Sequence, residues 1–186
     1  MNLYVVRHGQ TDWNVQGKLQ GSTDIELNQT GIKQAIQTSE LLKNVKFDII
    51  YSSPLKRAVD TARLINNCHD VNIITDKRIA ERGFGNLEGT KGVLEDITEY
   101  LDYEKNLNTH NVEPIQDVFN RIHSFLSDIC NNYRNSNANI LVVTHGGTGV
   151  VINGIINNKK SLNELISIEI KNCEVKIFEN LNKLEE

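Results

Sequence analysis

The 186-residue chain contains no uninterrupted apolar stretch long enough to span a bilayer as a helix. It shows no basic-then-apolar leader either, because residue 3 already reads as strand. Positive charge is not in excess: 20 Lys and Arg stand against 24 Asp and Glu, a net charge of -4 with a pI near 5.8. That balance argues against an extended nucleic-acid or anionic-membrane footprint, so any anion site must be a local basic pocket in an acidic chain. Cysteines are few: Cys68, Cys130 and Cys173 are odd in number and widely spaced. They form no Cys-x-x-Cys or Cys/His ligand pattern, which points to free, partly buried thiols rather than disulfides or zinc. No Gly-rich P-loop or dinucleotide fingerprint appears. Proline is scarce and asparagine abundant, a bias without functional meaning, and the Asn28-Gln29-Thr30 sequon is read the same way. These absences lead to the expectation of a soluble, cytoplasmic protein without nucleic-acid or membrane partners. With 39% hydrophobic residues, 186 residues suffice for one substantial core, hence a single domain over 1–186.

What is present begins with Leu3 to Val6, a short β-branched and aromatic run followed at once by Arg7, His8 and Gly9. The run reads as a buried strand, and the glycine permits a sharp turn at its carboxyl end. There Arg7 offers a permanently charged fork for phosphate oxygens, and a neutral His8 is a competent nucleophile toward phosphorus. Three residues alone are equally explained as a polar exit from a strand. Gln10 to Asp24 is a polar loop in which Asn14 and Gln20 are the side chains best able to donate to a phosphate. Thr30 is expected to cap a packing helix with Ile32, Ala35, Ile36 and Leu42 on one face. Phe47 to Tyr51 reads as the second strand, and Ser52, Ser53 and Pro54 as a helix start with Ser as cap. The helix that follows buries Leu55, Ala58, Val59, Ala62 and Ile65, leaving Arg57 off the apolar stripe near a helix N-terminus, where an anion is favoured.

Val71 to Thr75 is the third predicted strand, followed by Glu81 in a run with Gly83, Gly85 and Gly89. An acidic lid or insertion is expected over about 88–113, with one helix around Leu94 to Lys105. Pro114 opens the clearest helix, with Ile115, Val118, Phe119, Ile122, Phe125, Leu126, Ile129 and Tyr133 at 3-4 spacing. The fourth strand, Ile140 to Val143, ends in Thr144, His145, Gly146 and Gly147 before an apolar helix. Ser161 to Glu164 reads as a capping box, and the alternation over residues 166–178 as a hairpin or a pair of outer strands. Alternating strands and helices argue for a largely parallel sheet covered on both faces, with strand ends converging on one crevice. Such a crevice would hold Arg7, His8, Arg57, Glu81 and His145. Two arginines and two histidines with one carboxylate suit a tetrahedral oxyanion and not a metal ion.

The segments VVRHGQTDWN, QG with Asp24 beyond it, LNQTGIKQA, IIYSSPLKRAVDTA, Glu81 with FGNLEG, and VVTHGG together resemble the histidine phosphatase superfamily, the phosphoglycerate mutase-like proteins. The match runs nearly full length. The resemblance implies a three-layer α/β/α sandwich with a mostly parallel central sheet. It also implies that His8 is phosphorylated during turnover, that Arg7, Arg57 and His145 bind the phosphoryl oxygens, and that Glu81 donates and accepts the proton. Asn14, Gln20, Gly21 and Gly146 match further phosphate-pocket positions. The expected activity is that of a small metal-independent phosphatase without cofactor, acting on a small phosphorylated metabolite with a protonated His145 among the holding groups. A cofactor-dependent phosphoglycerate mutase and a non-catalytic phospho-ligand binder are the alternatives, and a homodimer is left open. The mutase is disfavoured because Glu95, Asp96, Glu99, Asp102 and Glu104 outnumber Lys91 and Lys105 in the lid. Two departures from the family pattern, Val112-Glu113-Pro114 before the long helix and no arginine near Gly149, are expected to leave the phosphoryl core untouched.

Overall fold

The first predicted strand takes an interior place in the sheet. In the computed structural model, which describes residues 1–91 and 98–184, β1 (Asn2–Arg7) pairs in parallel with β4 (Asn139–Thr144) and antiparallel with β5 (Val175–Phe178). Beyond β4 lie β2 (Ile49–Ser52) and β3 (Ile73–Thr75), both parallel, giving the order β3-β2-β4-β1-β5 among the described residues.

Alternation along the strands divides the core. Leu3, Val5, Ile140 and Val142 point to one face, where α4 (Ile115–Asn132) and α5 (Gly146–Ile156) bury Ile122, Phe125, Leu126 and Ile152. Val6, Leu141, Val143 and Ile50 point to the other, against Leu42 of α2 (Gln29–Leu42) and Ala58, Ala62 and Ile65 of α3 (Lys56–Asn66). Helices thus cover both faces, the expected α/β/α layering. Each fully buried Val, Leu, Ile or Phe side chain among these contributes about 2 kcal/mol of transfer free energy. No helix among the described residues is long and apolar enough to cross a membrane.

Several local expectations are revised. The loop after β1 contains a short helix, α1 (Asp12–Val15), closed by a capping box between Thr11 and Asn14. The cap of α2 is Asn28, whose side chain accepts from the Gly31 amide, and not Thr30; Ile36 faces outward at 47% exposure. The third helix starts at Lys56 with Leu55 as N-cap, so Ser52 and Ser53 lie ahead of it rather than capping it. Of the helix expected at Leu94 to Lys105, residues 94–97 lie outside the described residues; 98–99 are helical and 100–105 run through turns. Glu95 and Asp96 lie outside the described residues with them. The expectations for α4 and for the capping box of α6 (Leu162–Ile166) agree with the structure. Residues 167–171 do not form a strand. Their alternation reflects one-sided packing, since Ile170 is buried and approaches Gly149 of α5. The Ile170 carbonyl accepts from the Arg7 guanidinium instead of a ladder partner. All three cysteines are free, with Cys130 and Cys173 buried and Cys68 exposed.

Candidate active site

The carboxyl ends of β1 and β4 place Arg7 and His8 beside His145. The two imidazoles are buried, with ring centroids 5.1 Å apart. The turn after β1 is held by a close backbone crossing: a Cβ on Gly9 would lie 2.5 Å from the Gly31 carbonyl oxygen, so the start of α2 can dock only against glycine. The Gly9 amide donates to Thr61 Oγ1 at 3.0 Å, and Asn172 Nδ2 donates to the His8 carbonyl at 2.9 Å.

His8 Nδ1 lies 2.7 Å from the Gly9 carbonyl oxygen. A carbonyl only accepts, so Nδ1 carries the hydrogen and Nε2 presents its lone pair. Burial, reinforced by Arg57 and Arg7, holds the His8 pKa well below 6.5. His8 is therefore neutral at neutral pH, the state a nucleophile requires.

His145 is likewise held well below 6.5, first by burial and then by the charges of Arg57 and Arg7. This favours the neutral imidazole in the unliganded protein, whereas the protonated His145 of the expectation belongs to the phosphate-bound state. Its Nε2 lies 2.7 Å from Ser53 Oγ, and its Nδ1 is buried without a partner among the described residues.

Arg57, which the spacing placed off the apolar stripe near a helix N-terminus, is fully buried. Its Nη1 donates to the Thr23 carbonyl at 2.9 Å and its Nη2 to the Gly21 carbonyl at 2.8 Å. Arg7 Nη1 donates to the Ile170 carbonyl at 2.8 Å. Burial lowers the pKa of both guanidiniums, opposed first by Glu81. Arg7 Nε and Arg57 Nε remain buried without partners among the described residues. Leaving a buried N–H unpaired costs about 1–3 kcal/mol, so these donors beside His8 favour an acceptor such as an oxyanion.

Glu81 approaches from the loop after β3. Its Oε1 accepts from the Arg82 amide at 3.0 Å and from Thr148, by the amide at 3.0 Å and Oγ1 at 3.2 Å. Its Oε2 accepts only a long bond, 3.3 Å, from the Gly147 amide. Gly146 lies against Arg7, whose Cζ would be 3.4 Å from a Cβ there.

Asn14 Oδ1 accepts from the Thr11 amide and Oγ1 and from Asn172 Nδ2, which leaves its own Nδ2 as the unused end. Gln20 is buried with Oε1 unpartnered among the described residues. Gly21 contributes its carbonyl to Arg57. Sequence reasoning missed Ser53, Thr61, Thr148 and Asn172 as site neighbours. Thr148, next to the His145-Gly146-Gly147 turn, was within reach of that reasoning; Asn172 carried no signal. Glu113 was set aside, yet its Oε2 accepts from the Gly83 amide two residues beyond Glu81 at 3.1 Å.

The model of the histidine phosphatase superfamily, branch 1, matches residues 3–183. This chain belongs to the histidine phosphatase superfamily. It is 41% identical over 142 residues to the uncharacterized phosphatase PhoE of Bacillus subtilis, covering 76% of this chain and 70% of that protein. It is 30% identical over 177 residues to a metal-independent phosphoserine phosphatase of Arabidopsis thaliana, covering 90% and 74% respectively. Among solved structures, phosphoserine phosphatase of Entamoeba histolytica in complex with 3-phosphoglyceric acid superposes with a TM-score of 0.78 at 31% identity, covering 95% of this chain and 89% of that one. Family and relatives make this chain a phosphatase.

Proposed function

We propose that this phosphatase hydrolyses a small phosphorylated metabolite, without a metal ion, through a phosphohistidine on His8. One observation carries the reading: a buried, neutral His8 with its Nε2 lone pair set free by the Nδ1 contact to Gly9, among buried unpartnered donors of Arg7, Arg57 and His145. In the first displacement His8 Nε2 bonds to phosphorus as the ester P–O bond breaks. Arg7 and Arg57 and the Nδ1–H of His145 hold the nonbridging oxygens, and Glu81 gives its proton to the departing alkoxide. In the second, ionised Glu81 takes a proton from water, whose oxygen bonds to phosphorus as the P–N bond breaks. Inorganic phosphate leaves, with His8 neutral and Glu81 protonated again. A neutral His145 suffices for this role, because it needs only a donor. Two guanidiniums supply the charge stabilisation that a metal gives elsewhere. Phosphoserine and 3-phosphoglycerate are the first substrates to try, given the names of the relatives.

The test is release of inorganic phosphate from phosphoserine, 3-phosphoglycerate and an aryl phosphate with chelator present, beside His8→Ala. Release that persists with chelator and disappears in the variant, together with an acid-labile phosphoenzyme, is the expected outcome. Isomerisation of phosphoglycerate after priming with a bisphosphate, without net release, would replace this reading by the mutase. No turnover in either assay would leave a phospho-ligand binder.

A further inference from the structure

The FGNLEG segment contributes a carboxylate that the proposed reaction does not use. Glu88 lies one residue before Gly89, yet its side chain reaches back into the turn after β1. Its Oε1 accepts from the Ser22 amide at 2.8 Å and the Phe84 amide at 3.0 Å. Its Oε2 accepts from the Thr23 amide at 2.9 Å and Thr23 Oγ1 at 2.5 Å. Gly21, at φ +53°, packs so closely that a Cβ there would overlap Glu88 Oε1. The carboxylate is thus the filling of this turn, with every donor supplied by neighbouring backbone or Thr23.

The same turn has a second face. The carbonyls of Gly21 and Thr23 receive the two terminal nitrogens of Arg57, and Asp24 Oδ1 accepts from the Lys56 amide at 2.7 Å. Amides on one side of the turn therefore end on Glu88, and carbonyls on the other side end on Arg57. A guanidinium is planar, so fixing Nη1 and Nη2 also fixes the direction of its Nε–H, the donor left without a partner. Arg57 has no carboxylate bonded to it among the hydrogen bonds described, so its terminal nitrogens are held by this turn.

We propose that Glu88 is a positioning residue: it clamps the Gly21–Thr23 turn so that Arg57 presents its free N–H to the phosphoryl group. The inference rests on the phosphatase reading above and deepens it by assigning the orientation of Arg57 to a carboxylate that does not touch substrate. Glu88→Gln retains the shape but turns an NH2 toward two of the four donors. A general loss of packing would lower stability and activity whatever Arg57 does; a positioning role must act through Arg57.

The experiment is a double-mutant cycle on four proteins: wild type, Glu88→Gln, Arg57→Ala and the double variant. Each is measured for kcat/KM on an aryl phosphate, for competitive inhibition by inorganic phosphate, and for the midpoint of thermal unfolding. Glu88→Gln alone is expected to weaken kcat/KM and phosphate inhibition by about tenfold or more, and to change either by less than about twofold once Arg57 is Ala. Thr23→Val, which removes one of the four donors, should show a smaller loss with the same dependence on Arg57. It serves if Glu88→Gln does not fold. Losses that multiply in the double variant, or a Glu88→Gln enzyme with wild-type phosphate inhibition, would overturn the proposal while leaving the phosphatase reading standing. A wild-type protein that neither hydrolyses phosphomonoesters nor binds phosphate would overturn both.

Discussion

Ser53 Oγ lies 2.7 Å from His145 Nε2, and the same oxygen accepts from the Leu55 amide at 3.3 Å. The hydroxyl has one proton to give and a second lone pair still free; when it gives that proton to Nε2, the ring hydrogen sits on Nδ1. This explains how a neutral His145 can serve a phosphoryl oxygen, since the buried Nδ1 becomes a donor. Ser53→Ala removes that bias. We expect about a tenfold loss of kcat/KM, one hydrogen bond's worth, and weaker phosphate inhibition, with the tautomer read from imidazole nitrogen shifts. A variant with the same tautomer and unchanged inhibition would show that Ser53 has no such role.

The two buried imidazoles make stability depend on pH. Folding holds His8 and His145 well below 6.5, first by burial and then by neighbouring cations. Below about pH 6.5 the unfolded chain takes up protons at these positions while the folded protein does not, so stability falls as pH falls. Each imidazole contributes a slope of about 1.4 kcal/mol per pH unit until its folded form protonates. Urea unfolding between pH 6.5 and 5 should show this loss, and His145→Asn should flatten it. Equal slopes in wild type and variant would contradict the buried neutral state.

How much of the site was legible depended on where its chemistry sits relative to local pattern. Arg7, His8, Glu81 and His145 lie at or beyond strand ends and precede glycine or a turn, which made them candidates before the fold brought them together. Arg57 also stood out by position, yet its burial did not, because periodicity counts a guanidinium as polar. Its needs are met by the carbonyls of Gly21 and Thr23, more than thirty residues away in sequence. The C-terminal alternation misled for the opposite reason: Ile168 and Ile170 pack at spacing two without any strand partner, since β5 already flanks β1. Ser53 looked like a cap because Ser-Pro is a cap signal, and only the fold could bring His145 to it.

Glu113 shows the same limit, and its partner Arg121 yields a further prediction. Arg121 Nε and Nη2 donate to Glu113 at 2.7 and 3.1 Å, while Nη1 donates to the carbonyls of Arg78 and Ala80 at 2.6 and 2.8 Å. The side chains are only 18% and 26% exposed, so neither charge is left to water. Together they hold the backbone on both sides of Glu81. Arg121→Met strands Glu113 and frees two carbonyls, and we expect a loss of about 2 kcal/mol or more in urea unfolding. Because His8 and the arginines stay in place, kcat should drop more than phosphate inhibition weakens. A parallel loss of both would place the effect elsewhere.

Glu81 binds its neighbours unevenly, and this decides what its removal should do. Oε1 takes two amide donors, from Arg82 and Thr148, with the Thr148 hydroxyl closer to the Ala80 carbonyl, whereas among the described residues Oε2 has only the 3.3 Å contact from Gly147. In the proposed reaction Oε2 is thus the oxygen that carries the proton to the leaving group. Glu81→Gln keeps the shape and removes the acid. An alkyl phosphate, whose alkoxide departs poorly, should lose about 10² to 10⁴ in rate, while an aryl phosphate should form the phosphoenzyme nearly as before. The base for the second displacement is missing too, so the aryl substrate should give a burst of phenol equal to the enzyme present, followed by slow turnover. Equal losses for both substrates, with no burst, would remove Glu81 from the proton transfer and leave it the role its hydrogen bonds alone describe, a tether between the loop after β3 and the start of α5.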